Sequence, residues 1–169
     1  MNIRTYAHSA ITSALAAGVL AFSTSATAQI KTGQMTVRLA INGSCSAVSD
    51  GFLDFPAQLN AGTLSTTDGE GSFQVTCTDN TPFQVGMSNG NNFDSGTRRM
   101  VNGTSYITYQ LFKDGARSQA WGDQGSDMLI GQLGTGNPVP FSVYGRVPNQ
   151  SFSGPDGLYQ DTVEITVRY

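Results

Sequence analysis

The chain has 169 residues and a formal net charge of −3, with only 12 % of its residues charged. So neutral and mildly acidic a surface disfavours nucleic acid and anionic membrane as partners. The only histidine, His8, lies near the amino terminus; a mature domain lacking it has no imidazole for general-base, nucleophile-activating or metal-binding work.

Residues 10–22 (AITSALAAGVLAF) form an apolar run behind Arg4, too short to span a bilayer, and Ala26-Thr27-Ala28 is a small-x-small cleavage site. These features predict an export signal over residues 1–28 and a mature chain starting at Gln29, with an uncleaved anchor as the alternative. Removal leaves 141 residues with eight basic and twelve acidic side chains, a net charge of −4. That length suits one domain with a core of its own. The expected division is a terminal strand segment at 29–42 followed by a domain at 43–169, with no internal repeat. Cys45 and Cys77 are the two cysteines. In an exported chain such a pair reads as a disulfide, since no CxxC or partner ligand supports a redox or metal role. Closing a loop of about thirty residues contributes roughly 3–4 kcal/mol in the chain-entropy treatment.

The first ordered segment is expected at Gln34-Met35-Thr36-Val37-Arg38-Leu39-Ala40-Ile41. There Met35, Val37, Leu39 and Ile41 recur with period two and share one face of an extended strand. Phe52-Leu53-Asp54-Phe55 is a short apolar strand closed by Pro56. Phe73-Gln74-Val75-Thr76-Cys77 alternates and sets Cys77 on the inward face with Phe73 and Val75. Phe83, Val85 and Met87 alternate after the turn Asp79-Asn80-Thr81-Pro82. Residues 106–112 (YITYQLF) place Ile107, Tyr109 and Leu111 on one face, and residues 128–133 form a weaker strand. Phe141-Ser142-Val143-Tyr144-Gly145-Arg146-Val147 and Val163-Glu164-Ile165-Thr166-Val167-Arg168-Tyr169 complete the set. Asn89-Gly90, Asn102-Gly103, Asp114-Gly115, the glycine-rich stretch 134–140 and Gly154-Pro155-Asp156-Gly157 supply the turns. No window supports an amphipathic helix. The pattern predicts an all-β sandwich, with a closed barrel as the competing fold.

Chemistry-bearing clusters are sparse. The carboxylate pairs Asp123 with Asp127, Asp156 with Asp161, and Asp68 with Glu70 all lie in Gly/Ser-rich stretches. Turn-forming, solvated carboxylates explain them more simply than a glycosidase pair or a calcium loop. Gly131, Gly134 and Gly136 do not spell a phosphate-binding loop. The triplets at Asn42, Asn102 and Asn149 match the N-glycosylation pattern, which arises by chance in so Asn/Ser/Thr-rich a chain. Arg98-Arg99 reads as an exposed, solvated pair more readily than as a site for an acidic partner. Trp121 is the single tryptophan and is expected to fold over the core, with an exposed anchor as the other option. Neither a catalytic site nor a cofactor emerges, and an enzyme is disfavoured.

In its order and spacing of segments the mature chain resembles the spore coat U domain proteins, pilin subunits of archaic chaperone–usher pili. Thr32-Gly33-Gln34 through Ile41, followed closely by Cys45, resembles the family's donor strand and first cysteine. Phe73 to Cys77 resembles the strand carrying the second. Tyr109-Gln110-Leu111-Phe112-Lys113-Asp114 resembles a strand ending in a basic-Asp turn. The most specific match is Val139-Pro140-Phe141-Ser142-Val143-Tyr144-Gly145, then Pro148-Asn149-Gln150, then Gly157-Leu158-Tyr159-Gln160-Asp161-Thr162-Val163 with Tyr169. The short 134–140 connection departs from better known members, so loop-borne features are not carried over.

The resemblance implies an incomplete immunoglobulin-like sandwich that lacks its final strand. Val163, Ile165, Val167 and Tyr169 would border the acceptor groove, and Met35, Val37, Leu39 and Ile41 would be the donor residues that fill a neighbour's groove. It implies a periplasmic chaperone, an outer-membrane usher and identical or related pilin subunits as partners, with the fibre at the cell surface supporting attachment and biofilm formation. Burying the four donor side chains is worth at most about 6–12 kcal/mol, comparable with the stability of a whole domain. Two further readings compete: a secreted adhesin or coat protein binding through loops near Trp121 or Arg98, and a carboxylate-dependent hydrolase.

Overall fold

The structure, a computed structural model, describes residues 29–169 apart from 49, 50 and 60. The export signal expected at 1–28 lies outside the described residues. The chain divides after Leu39 into an N-terminal unit and a β-rich unit, Ala40–Tyr169.

The strands in chain order are β1 (Cys45–Val48), β2 (Phe52–Asp54), β3 (Thr63–Leu64), β4 (Thr67–Cys77), β5 (Pro82–Met87) and β6 (Arg98–Asn102). They continue with β7 (Ser105–Phe112), β8 (Leu129–Leu133), β9 (Pro138–Val147), β10 (Gln150–Ser151) and β11 (Ile165–Arg168). The segments with the cleanest alternation bury one face as their period requires: Phe73, Val75 and Cys77 on β4, Phe83, Val85 and Met87 on β5, Ile107, Tyr109 and Leu111 on β7. β6 and β7 join through Gly103-Thr104, and Gly103 has φ +59, a conformation open to glycine at little steric cost.

One sheet runs β1-β4-β9-β7-β6, with β2 also pairing on β4, and a second runs β11-β5-β8; β10 and β3 form a short pair. All pairings are antiparallel, the longest running from Thr67↔Val147 to Thr76↔Pro138 between β4 and β9. Taking β1/β2, β4, β9 and β7 as strands A, B, E and D, and β5 and β11 as C and F, gives the immunoglobulin arrangement, with no strand at the G position among the described residues. A tyrosine corner supports the correspondence: just before β11, Tyr159 donates its hydroxyl to the Pro155 carbonyl four residues upstream, at 2.9 Å.

Aromatic rings fill the middle of the sandwich. Phe73 stacks on Phe141 with centroids 5.6 Å apart, and Phe83 meets Phe141 edge-on at 6.0 Å. Trp121 leans against Phe73 at 5.8 Å and is 1 % exposed. Its indole N–H donates to the Val85 carbonyl at 3.0 Å, as a buried ring with one polar atom requires. Cys45 and Cys77 are disulfide-bonded and directly opposite each other on β1 and β4.

Residues 29–44 carry no regular secondary structure, although Gln34 to Ile41 has a strand's alternation. Alternation sets which side chains share a face; the strand itself requires a partner for its backbone N–H and C=O groups. Two expectations need correction. Arg98 is not part of a solvated pair: it is 9 % exposed and points into the sandwich. Asp161 is not a free turn carboxylate, because it accepts hydrogen bonds from both sheets' surroundings, as described below.

Candidate functional site

β11 pairs with β5 along one edge, and among the described residues no strand pairs with its other edge. Across from that edge lies β2, held on β4 by the pairs Phe52↔Ser72, Leu53↔Gly71 and Asp54↔Glu70. Gly71 permits this close pairing: a Cβ there would run into the Phe52 carbonyl. Between β2 and the approach to β11 the sandwich is open. Two adjoining cavities of about 300 and 440 Å³ occupy the gap, sharing Leu53, Phe55, Met100, Leu158 and Tyr159 in their walls.

Core side chains form the floor. Phe73, Leu111 and Val143 reach the first cavity, and Leu64, Ile107, Val147 and Phe152 the second. The rims carry apolar side chains in water: Phe52 is 80 % exposed, Leu158 73 % and Leu59 88 %. So much contiguous exposed apolar surface marks an interaction site. An unpaired strand edge beside it offers a row of backbone donors and acceptors to an incoming strand.

Of the residues expected to border the groove, Val163 and Ile165 line the first cavity. Val167 lies farther along β11, half-buried against the core, and Tyr169 is exposed beyond the end of the strand. Met35, Val37, Leu39 and Ile41 are 86, 83, 85 and 88 % exposed. The sequence reading missed the opposite rim and the end wall, Phe52 to Phe55 and Leu158 to Asp161. A usable signal was present, since Phe52-Leu53-Asp54-Phe55 is an apolar run too short for a central strand.

Two polar side chains that line the first cavity, Tyr109 and Asp161, are hydrogen-bonded to each other. Tyr109, on β7, donates its hydroxyl to Asp161 Oδ2 at 2.7 Å. Asp161 Oδ1 accepts from the Asn91 and Asn92 backbone N–H groups at 3.0 and 3.2 Å and from Asn92 Nδ2 at 2.9 Å. Burial first, then the bond to Asp161, pushes the Tyr109 pKa far above its ordinary range, so the phenol stays protonated and donating. Arg98 stands directly opposite Tyr109 on β6. Its guanidinium donates to the carbonyls of Met87 at 3.0 Å, Ser88 at 2.7 Å and Trp121 at 2.8 Å. Burial lowers its pKa while Tyr109, Asp123 and Asp161 oppose that; an arginine remains cationic throughout.

Elsewhere, Asp68 is held by Arg146 at 2.7 Å and Arg117 at 3.3 Å. Asp114 accepts from the backbone N–H groups of Gln119 and Ser118 at 2.8 and 3.0 Å, a turn role. Among the described residues no group of three His, Cys, Asp or Glu side chains is placed to hold a metal ion. What the groove can do chemically is bind an extended apolar segment.

The profile of the Spore Coat Protein U domain matches residues 31–166. The chain is 34 % identical to Protein U of Myxococcus xanthus over the whole of both chains. Among solved structures it is similar to a chain of the CsuC–CsuE chaperone–tip adhesion subunit pre-assembly complex from the archaic chaperone–usher Csu pili of Acinetobacter baumannii. That likeness has 21 % identity and a TM-score of 0.44, and covers 70 % of this chain and 40 % of that one. Matched by the profile over most of its length and by a full-length relative, this chain belongs to the Spore Coat Protein U domain family.

Proposed function

We propose that the protein is a non-catalytic structural subunit of an extracellular fibre, assembled by strand exchange after export. In this reading a periplasmic chaperone first covers the groove between β2 and β11. An outer-membrane usher then brings in the 34–41 segment of the next subunit, whose Met35, Val37, Leu39 and Ile41 replace the chaperone's contribution. Attachment and biofilm formation would follow from the fibre at the cell surface.

The observation that carries the proposal is the pairing of two incomplete parts in one chain. The sandwich has an apolar groove beside an unpaired β11 edge, and the N-terminal segment has four exposed apolar side chains at strand spacing. Strand addition to an open edge is an established recognition mode, with donor-strand complementation of pilins among its instances. A head-to-tail contact between like subunits does not close on itself and therefore grows a filament.

Leu39→Asp tests the proposal by placing a charge where an apolar side chain must be buried. Export should continue while polymers disappear from the cell surface and from denaturant-free gels. Polymers at the normal level from this variant would contradict the assignment.

A further inference from the structure

We infer that Arg98, Tyr109 and Asp161 form a polar brace that holds the groove open before any strand enters, with Asp161 as its positioning residue. The inference rests on the strand-accepting reading above and concerns how the groove is kept ready.

A sandwich missing one strand has an apolar gap, and apolar walls lower their free energy by closing and expelling water. Something must keep β2 and β11 apart. The segment leading into β11 is stitched to both sides of the molecule. On the larger sheet, Val101 and Gln160 exchange backbone hydrogen bonds at 2.8 and 3.2 Å. On the smaller sheet, the loop following β5 bonds to the same segment through Asn91 N–H to Thr162 O at 3.1 Å and Ser88 N–H to Glu164 O at 2.9 Å.

The Asp161 carboxylate spans these two attachments. One oxygen takes the Tyr109 hydroxyl from the larger sheet, and the other takes three donors from Asn91 and Asn92 after β5. The loop is shaped for it: Gly90 has φ +82, and a Cβ there would collide with the carboxylate. Arg98 makes a second tie from the larger sheet, fixing the carbonyls at the end of β5. Hydrogen bonds have narrow ranges of length and angle, so this linkage fixes a spacing that apolar contacts alone would let slide. Asp161 itself lines the first cavity beside Val163 and Ile165.

The test uses the mature chain and a fluorescently labelled synthetic peptide of residues 29–42, followed by anisotropy and by association kinetics. Asp161→Asn and Tyr109→Phe should each bind the peptide roughly tenfold more weakly or worse. The loss should fall mainly in the association rate, because the groove must reopen before a strand can enter. Val139→Ala removes core volume away from the groove and serves as a control for stability loss in general. Unchanged affinity and association rate in Tyr109→Phe would overturn the brace, even if Asp161→Asn fails to fold. A loss of the same size in Val139→Ala at equal loss of thermal stability would overturn it as well. Failure of the unmodified chain to bind the peptide would instead overturn the strand-accepting reading, and the inference with it.

Discussion

The Arg98 guanidinium lies 2.8 Å from the carbonyl oxygen of Trp121, inside the sandwich and close to the indole that fills its centre. One buried cation thereby anchors the carbonyls of Met87, Ser88 and Trp121. Replacing it leaves those acceptors without donors in a place that water does not readily reach.

Arg98→Met should therefore destabilise the domain by about 3 kcal/mol or more in urea denaturation. Arg98→Lys should recover only part of this, since an ammonium cannot reproduce the planar fork. The single tryptophan reports the transition, because a buried indole shifts its emission to the red as it meets water. A midpoint unchanged in Arg98→Met would mean that the three carbonyls find other partners.

The Cys45–Cys77 disulfide ties the short β1 to the far end of β4 across a separation of 32 residues. The double variant Cys45→Ala/Cys77→Ala should lose about 2–4 kcal/mol of stability relative to the oxidised chain. Reduction of the unmodified chain should lower its denaturation midpoint similarly, and should leave that of the double variant unmoved. An effect of reductant on the double variant would show that it acts elsewhere.

Acid sensitivity has a local source in Asp68. Its hydrogen bond from Arg146, and then the charges of Arg117 and Arg146, outweigh burial and hold its pKa below the ordinary carboxylate value. A carboxylate depressed in the folded state adds stability that is fully present above its unfolded pKa, and that is lost as pH falls through the folded one. Stability should thus decline below about pH 4, less steeply in Asp68→Asn. The pair is exposed, so the difference should stay within about 1 kcal/mol. Identical acid slopes for the two proteins would contradict this.

Much of the sandwich was legible because a half-buried strand carries its period openly, as Phe73, Val75 and Cys77 do. Arg98 was misread although the same rule applies to it. Neighbours on a strand face opposite ways, so in Arg98-Arg99 one residue turns inward while the other meets Asp94 and the ring of Tyr106 outside. Charge dominated the reading where periodicity should have decided. Asp161 was harder, since its partners Tyr109 and Asn91 lie 52 and 70 residues away and no local pattern points to them. Val163 and Ile165 were expected at a groove edge from the alternation around them and the family resemblance, and both line the first cavity. The facing wall at β2 depends on β1 and β2 sharing one partner strand, a tertiary relationship invisible in a run of four residues.

The proposal that residues 29–41 complete the groove beside β11 of a neighbouring subunit is tested most directly by giving one chain its own donor. Residues 29–41 are removed from the front and appended after Tyr169 through a short flexible linker, and the product is examined by size-exclusion chromatography with light scattering and by thermal denaturation. The expected product is a monomer that no longer polymerises and melts well above the deletion variant lacking the appended segment. A rearranged chain that still forms fibres, or one no more stable than the deletion variant, would contradict it.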